Sequence, residues 1–289
     1  MSVEANKQLL SALIDPDRPK RVTLHRVELN GRAADPGTLQ ELAFAGYGHF
    51  TSMQVREHRV RGLDLHLERL RRDSRALFGR AVNGDRVLCY LRQAVDGLPG
   101  DLSVQVNLFS RDERAVEAGL AVDPDVLIRA GPPARAGTAP VRVRTAEHQR
   151  LLPEVKHVAT LGLVYHWRQA RRDGFDDVLF VDRGGFVSEG SIWNLCLFDG
   201  TEIVWPAAPA LRGITMQLVQ AGLARAGVTS ATRPVHRDDL PRFRSAVLMN
   251  SIVPGRPIAS IDGAGLAEDT ELLAVVRHAY EANQPQPLR

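Results

Sequence analysis

The sequence predicts a mixed α/β (α+β) chain folded as two lobes, a small N-terminal α/β domain and a larger, strand-richer C-terminal α/β domain. Three observations carry that expectation. Short runs of alternating apolar residues are interleaved with amphipathic helical runs in both halves. A stretch dense in proline, glycine and alanine, "GPPARAGTAP" at residues 131–140, reads as the linker between them. The 289 residues suffice for two ordinary domains, and 44% hydrophobic with 25% charged residues is a globular composition.

The elements follow in order. Residues 1–22 read as a loose leader without the apolar core of a signal peptide, and no later stretch reaches membrane-spanning length, which points to the cytoplasm. The small domain is expected over residues 23–130. In it "RVTLHRVELNG" is a strand entering a turn, and "GHFTSMQVREHRVRGLDLH" a strand, a turn and a short second strand. "LDLHLERLRRDSRALFG" and "DRVLCYLRQAVDGLPG" space their apolar residues as helices and stop at glycine. "LSVQVNLFS" and the end of "AGLAVDPDVLIRAG" are strands. The second domain, residues 141–289, opens with the strand "VRVRTAEH" and the helix "LGLVYHWRQARRDGF". A meander follows, "DDVLFVDRGGFVSEGSIWNLCLFDGTEIVWP", with turns at Arg-Gly-Gly and Asp-Gly. Then come a helix from about Thr215 to Ala226, the strand region "SAVLMNSIVPGRPIASIDG", a last helix "TELLAVVRHAYEAN" and a polar tail "NQPQPLR".

Bulk chemistry narrows the function. Net charge is only +3, and the basic clusters alternate with acids and apolar residues at helical spacing, so solvated helix faces are expected rather than a nucleic-acid surface or a membrane contact. Cys89 and Cys196 form no CxxC pair and suggest neither a disulfide framework nor a metal site.

The lysine count is the sharper signal. The chain has three lysines against 34 arginines, and Lys156, in "LLPEVKHVATLGLVYH", is the only one after position 20. Arginine is always charged, whereas a buried lysine can be tuned toward a neutral, nucleophilic amine. Such an amine serves a Schiff base, either with a carbonyl substrate or with pyridoxal 5'-phosphate. The coenzyme asks for an acid at its pyridine nitrogen and a nest for its phosphate. Glu189 in "VSEGSIWN" is an interior candidate for the acid, although an exposed meander residue would look the same. Gly213, Ile214 and Thr215 stand where a loop becomes a helix, which suits an anion or an ordinary helix cap. Asn250 and Ser251 follow an apolar strand as small polar groups in a turn.

Taken together, these stretches resemble the class IV, fold-type IV, pyridoxal-phosphate aminotransferases, which include branched-chain and D-amino-acid aminotransferases and aminodeoxychorismate lyase. The likeness runs from about residue 27 to 263. "HLERL" is similar to the family's His-x-x-Arg-Leu, which implies phosphate binding by Arg69. "EVKH" resembles the Lys-His pair of the lyase branch and places the Schiff base on Lys156. "GFDDVLFVDRGGFVSEGSIWNL" resembles the family signature and assigns Glu189 to the pyridine nitrogen. "LRGIT" and "NSIVPGRPI" are similar to the two phosphate turns, implying Ile214, Thr215, Ser251 and Ile252. The resemblance implies transamination between an amino acid or amine and a keto acid, with a pyruvate-releasing lyase and a cofactor-binding protein without turnover as alternatives. It also implies a homodimer whose subunits close each other's pockets.

Departures from the family pattern fall where substrate is chosen. Leu161 replaces a tyrosine of the branched-chain enzymes, and Ala159 and Thr160 replace the pair usual in the lyase branch. Asn107 and Leu108 stand where D-amino-acid enzymes present an arginine, with Arg111 nearby; Arg212 and Met216 flank the Gly-Ile-Thr loop, and Trp193 adds bulk beside Asn194. Tyr47, Thr51, Asn107, Thr160 and Trp193 are therefore the candidate substrate residues, with Ser52, His49 and His157 undecided between pocket and packing.

Overall fold

The computed structural model describes residues 24–44, 46–135 and 137–288; the expected leader, with Lys7 and Lys20, lies outside the described residues. The N-terminal part runs β1 (Arg26–Leu29), β2 (Arg32–Ala33), α1 (Pro36–Phe44), β3 (Gly48–Arg56), β4 (Arg59–Arg61), α2 (Leu63–Phe78), α3 (Gly84–Val95), β5 (Leu102–Phe109), α4 (Glu113–Glu117) and β6 (Asp125–Gly131). Next come β7 (Val141–Glu147), α5 (Leu161–Arg172), β8 (Asp177–Val181), β9 (Val187–Gly190), β10 (Asn194–Phe198), β11 (Ile203–Pro206) and α6 (Ile214–Arg225). The last elements are β12 (Ser230–Arg233), β13 (Ser245–Met249), β14 (Arg256–Ile261), β15 (Ala264–Gly265), α7 (Thr270–Glu281) and β16 (Pro285–Pro287).

Two sheets organise this mixed α/β fold. The first has seven strands in the order β16-β4-β3-β5-β6-β1-β2, and the second has nine, in the order β12-β11-β10-β13-β14-β7-β8-β9 with β15 on β14. Alternation in β3 and β5 sends Met53, Val55, Val104 and Val106 into a core with Leu70 and Phe78 of α2 and Val87 and Leu91 of α3. In the second sheet β8, β9, β10 and β13 are buried at nearly every position, as strands covered on both faces must be. One face holds Val143, Leu179, Leu195, Leu248 and Ile258; the other packs Cys196, Trp205 and Met249 against Val219 of α6 and Val276 of α7.

Three features depart from the sequence expectation. The run over residues 176–206 is no simple meander, because β13, β14 and β7 lie between β10 and β8. The chain crosses from β9 to β10 at Ser191–Trp193, where the Trp193 ring packs so closely on Gly190 that a Cβ there would stand 2.0 Å from it. Helix α1 is also additional; Pro36 at its first position suits a helix start, where a missing N–H costs nothing. The tail, expected to be a polar tract, is strand β16. Its alternation is short, but Leu288 just beyond is fully buried, and Arg59 and Arg92 donate to the Pro285 and Leu288 carbonyls. Prolines are tolerated because β16 is an edge strand. The last residues of the chain thus pair with the first sheet.

Candidate active site

A cleft collects side chains from both sheets. Helix α2 presents His66 and Arg69, one turn apart on one face; β3 supplies Phe50 and Ser52. The segment between β7 and α5 contributes Arg150, Lys156 and Thr160. The far wall is Glu189 of β9, Trp193 at the crossing, the start of α6 and the turn after β13.

Lys156 lines the cleft, with its Nζ 4.8 Å from the centre of the Phe50 ring. Burial first, then the positive charges of Arg69 and Arg150, lower its pKa to about 7, against the opposing pull of Glu189 and Asp73. At neutral pH a substantial fraction is the free amine. Glu189 is buried, and burial raises its pKa to about 7, with Arg150 as the main opposing influence. Arg150 Nε lies 3.5 Å from Glu189 Oε1, both groups almost wholly withdrawn from solvent. That ion pair is why a carboxylate is tolerated in a strand buried throughout. The reading of Glu189 as an exposed residue is excluded.

The cleft also holds a donor-rich cradle. Helix α6 starts at Ile214 after Gly213 without a side-chain cap, so its first-turn N–H groups lack helical partners. Thr215 is buried beside them, and Ser251 completes the rim. Arg69 is buried, with one terminal nitrogen donating to the Arg212 carbonyl at 2.6 Å while its Nε has no partner. Burial brings Arg69 down to about 10, still a cation at neutral pH. The loop before α6 is held from behind by Asn194, whose Nδ2 donates to the Leu211 carbonyl at 2.8 Å. An orphaned buried guanidinium N–H beside an uncapped helix start fits a phosphate group, and a tunable amine facing a buried carboxylate fits the other end of the coenzyme.

The structure thus brings together Lys156, Glu189, Arg69, Ile214, Thr215, Ser251, Thr160 and Trp193. Ile252 is not in the cleft lining: it is exposed, and its N–H donates to Asn250 Oδ1 at 2.9 Å. Thr51 lies behind the wall, buried, with Oγ1 2.7 Å from His66 Nδ1. Tyr47 is exposed and donates to the Leu77 carbonyl, and it shares a separate cavity with Asn107. Arg111 is paired with Asp125 outside the cleft. His49 is buried against Ser74, while His157 bonds the Leu151 carbonyl; Ser52 lines the cleft. Arg150 and Asp73 were not singled out from the sequence. Among 34 arginines nothing distinguishes Arg150 except its place six residues before the lone lysine. Cys89 and Cys196 are free, and the described residues hold no cluster able to bind a metal.

The family model for amino-transferase class IV matches residues 48–261. The chain belongs to the class IV aminotransferases. Solved structures show the same fold. The branched-chain aminotransferase from the thermophilic archaeon Thermoproteus uzoniensis, solved with norvaline, superposes with a TM-score of 0.79 at 20% identity, covering 92% of this chain and 100% of that one. The branched-chain amino acid aminotransferase from Thermobaculum terrenum, solved in its PLP form, gives 0.77 at 19% identity, covering 91% and 94%. A fold IV-transaminase from Curtobacterium pusillum gives 0.74 at 22% identity, covering 87% and 93%. No curated protein matches the chain.

Proposed function

We propose that this chain is a pyridoxal 5'-phosphate-dependent aminotransferase that moves an amino group between an amino acid or amine and a keto acid. The observation that carries the reading is the convergence of Lys156, Glu189 and the Arg69–α6 cradle on one cleft. When bound, the coenzyme supplies an aldehyde for imine chemistry and an electron sink. Lys156 is the attachment point and, once free and neutral, the base that moves a proton at the substrate carbon. Glu189 holds a positive charge at the ring nitrogen, kept in place by Arg150. Arg69, Thr215, Ser251 and the first N–H groups of α6 hold the phosphate and so aim the ring. Thr160 and Trp193 face the same space and bear on substrate choice.

The structural relatives named above are transaminases, which supports transfer over a pyruvate-releasing lyase. A homodimer belongs to the same reading, supported by the apolar residues Leu161, Val164 and Tyr165, which α5 leaves exposed close to Thr160. So does a division into lobes over residues 23–130 and 141–289 joined by 131–140, supported by the two sheets apart from β16, which pairs with the first. A cytoplasmic setting is supported by two cysteines that are both free; among the described residues no helix is long and apolar enough to cross a membrane.

The test is a spectral screen of purified protein loaded with coenzyme against a panel of amines and amino acids. Collapse of the coenzyme band on donor alone, reversed by a keto acid, is expected; release of pyruvate from aminodeoxychorismate would establish the lyase. A band that no donor moves would leave a binding protein without turnover. A colourless protein whose Lys156→Ala variant binds coenzyme equally well would overturn the assignment.

A further inference from the structure

The peptide that carries Lys156 has its polar groups accounted for by fixed partners. Val155 N–H donates to the Leu152 carbonyl at 2.9 Å, and Phe50 N–H of β3 donates to the Lys156 carbonyl at 2.9 Å. Arg150 donates to the carbonyls of Pro153 and Val155. Two more of these groups are met by neighbours on α2. Asp73 Oδ2 accepts from Lys156 N–H at 2.9 Å, and Arg72 donates to the Glu154 carbonyl at 2.7 Å. Asp73 is fully buried, and its Oδ1 accepts from Arg72 Nε and a terminal nitrogen at 3.0 and 2.8 Å.

We propose that Asp73 is a positioning residue for Lys156, its buried carboxylate fixing the lysine's own peptide N–H while Arg72 grips the carbonyl two residues earlier. A hydrogen bond to the backbone alone could be made by asparagine. The charge matters separately, because the Asp73 carboxylate favours the ammonium form of Lys156. The other groups bearing on the lysine are Arg69 and His66 on α2, Arg150 and His157 in its own segment and Glu189 on β9; His49 on β3 faces Ser74. His66, lowered to about 3 by burial, and His49, lowered to about 4, stay neutral between pH 5 and 9 and do not confuse the titration. The proposal rests on Lys156 as the attachment point, but its test does not need coenzyme.

The test is competitive amine labelling of the full-length chain before coenzyme is added, read by mass spectrometry across pH, with hydrogen exchange at the Lys156 amide. Only three lysines report, so Lys156 is resolved directly. Asp73→Asn is expected to keep amide protection within a few-fold while the labelling midpoint falls, because a charge that favours the ammonium is gone. Asp73→Ala is expected to lose amide protection at least tenfold as well. If the alanine variant does not fold, Arg72→Gln replaces it: unmasking the carboxylate should move the midpoint up. An unchanged midpoint in both Asp73→Asn and Arg72→Gln, or full amide protection in Asp73→Ala, overturns the proposal. Coenzyme uptake, followed by absorbance on unlabelled aliquots, reports separately on the proposed function.

Discussion

Replacing Gly213 with alanine tests how the phosphate cradle is built. Its φ of −59° and ψ of 141° are open to any residue, so backbone freedom is not why glycine stands there. Taken alone, the change would stabilise by about 0.4–1 kcal/mol through the unfolded chain. Space opposes it: the new Cβ would stand 2.0 Å from Asn194 Oδ1. Asn194 is buried and cannot swing aside without breaking its 2.8 Å bond to the Leu211 carbonyl. Overpacking costs roughly 1–3 kcal/mol and a buried group left unpaired another ~1–3 kcal/mol. The steric side wins, and Gly213→Ala should destabilise by about 2–5 kcal/mol. A double-mutant cycle with Asn194→Ala, followed by urea denaturation, isolates the cause. Once Asn194 is shortened the alanine has room and that cost should vanish, so the cycle should show a coupling energy of about 2–5 kcal/mol. Additivity within about 0.5 kcal/mol would refute the argument.

Other expectations follow from the same geometry. Coenzyme loading should track the neutral amine of Lys156, rising with pH through a midpoint at about 7; stopped-flow absorbance across pH reads it. Arg150→Met removes a cation that pushes the proton off Lys156, so the same midpoint should move up. The Glu189 carboxyl in that variant, having lost its partner, should be neutral over a wider range, which infrared spectra of isotope-labelled protein can check. Leu288→Ala should cost about 2–5 kcal/mol despite lying one residue from the end, because the side chain is fully buried in the first core; thermal denaturation decides.

The elements that were legible in the sequence are those whose own periodicity decides them. The leucines of α2 and the alternation of β3 and β5 need no tertiary information, and the lone lysine, Glu189 and the Gly-Ile-Thr turn stand out by residue type. Sheet order was illegible: β9 and β10 are separated in sequence only by Ser191–Trp193, yet β13, β14 and β7 pair between β8 and β10. Nor does local pattern reveal β16, which is held by Leu288 and by arginines nearly 200 residues or more away. Of the candidate site, Tyr47 and Thr51 lie in the right strand region but not in the cleft, since a strand alternates its faces and the odd residues of β3 turn toward α2. Arg150 and Asp73 were hidden for the complementary reason: a charged residue in a loop or helix reads as solvated until its burial is known.

Burial explains why Lys156 and Glu189 both titrate near 7 although one is a base and the other an acid. Each is penalised for being charged in the cleft, and each is the other's partial remedy, so the two behave as a coupled pair sharing protons. Arg69 and Arg150 tilt that balance, lowering the lysine and holding the carboxylate down. A dianion placed at the α6 cradle would neutralise Arg69 and relieve part of its push on the lysine, and a cation placed against Glu189 would restore its carboxylate. The site is thus built so that occupation of the cradle and of the Glu189 side resets the proton affinity of the lysine, from a level that burial, Arg69 and Arg150 set.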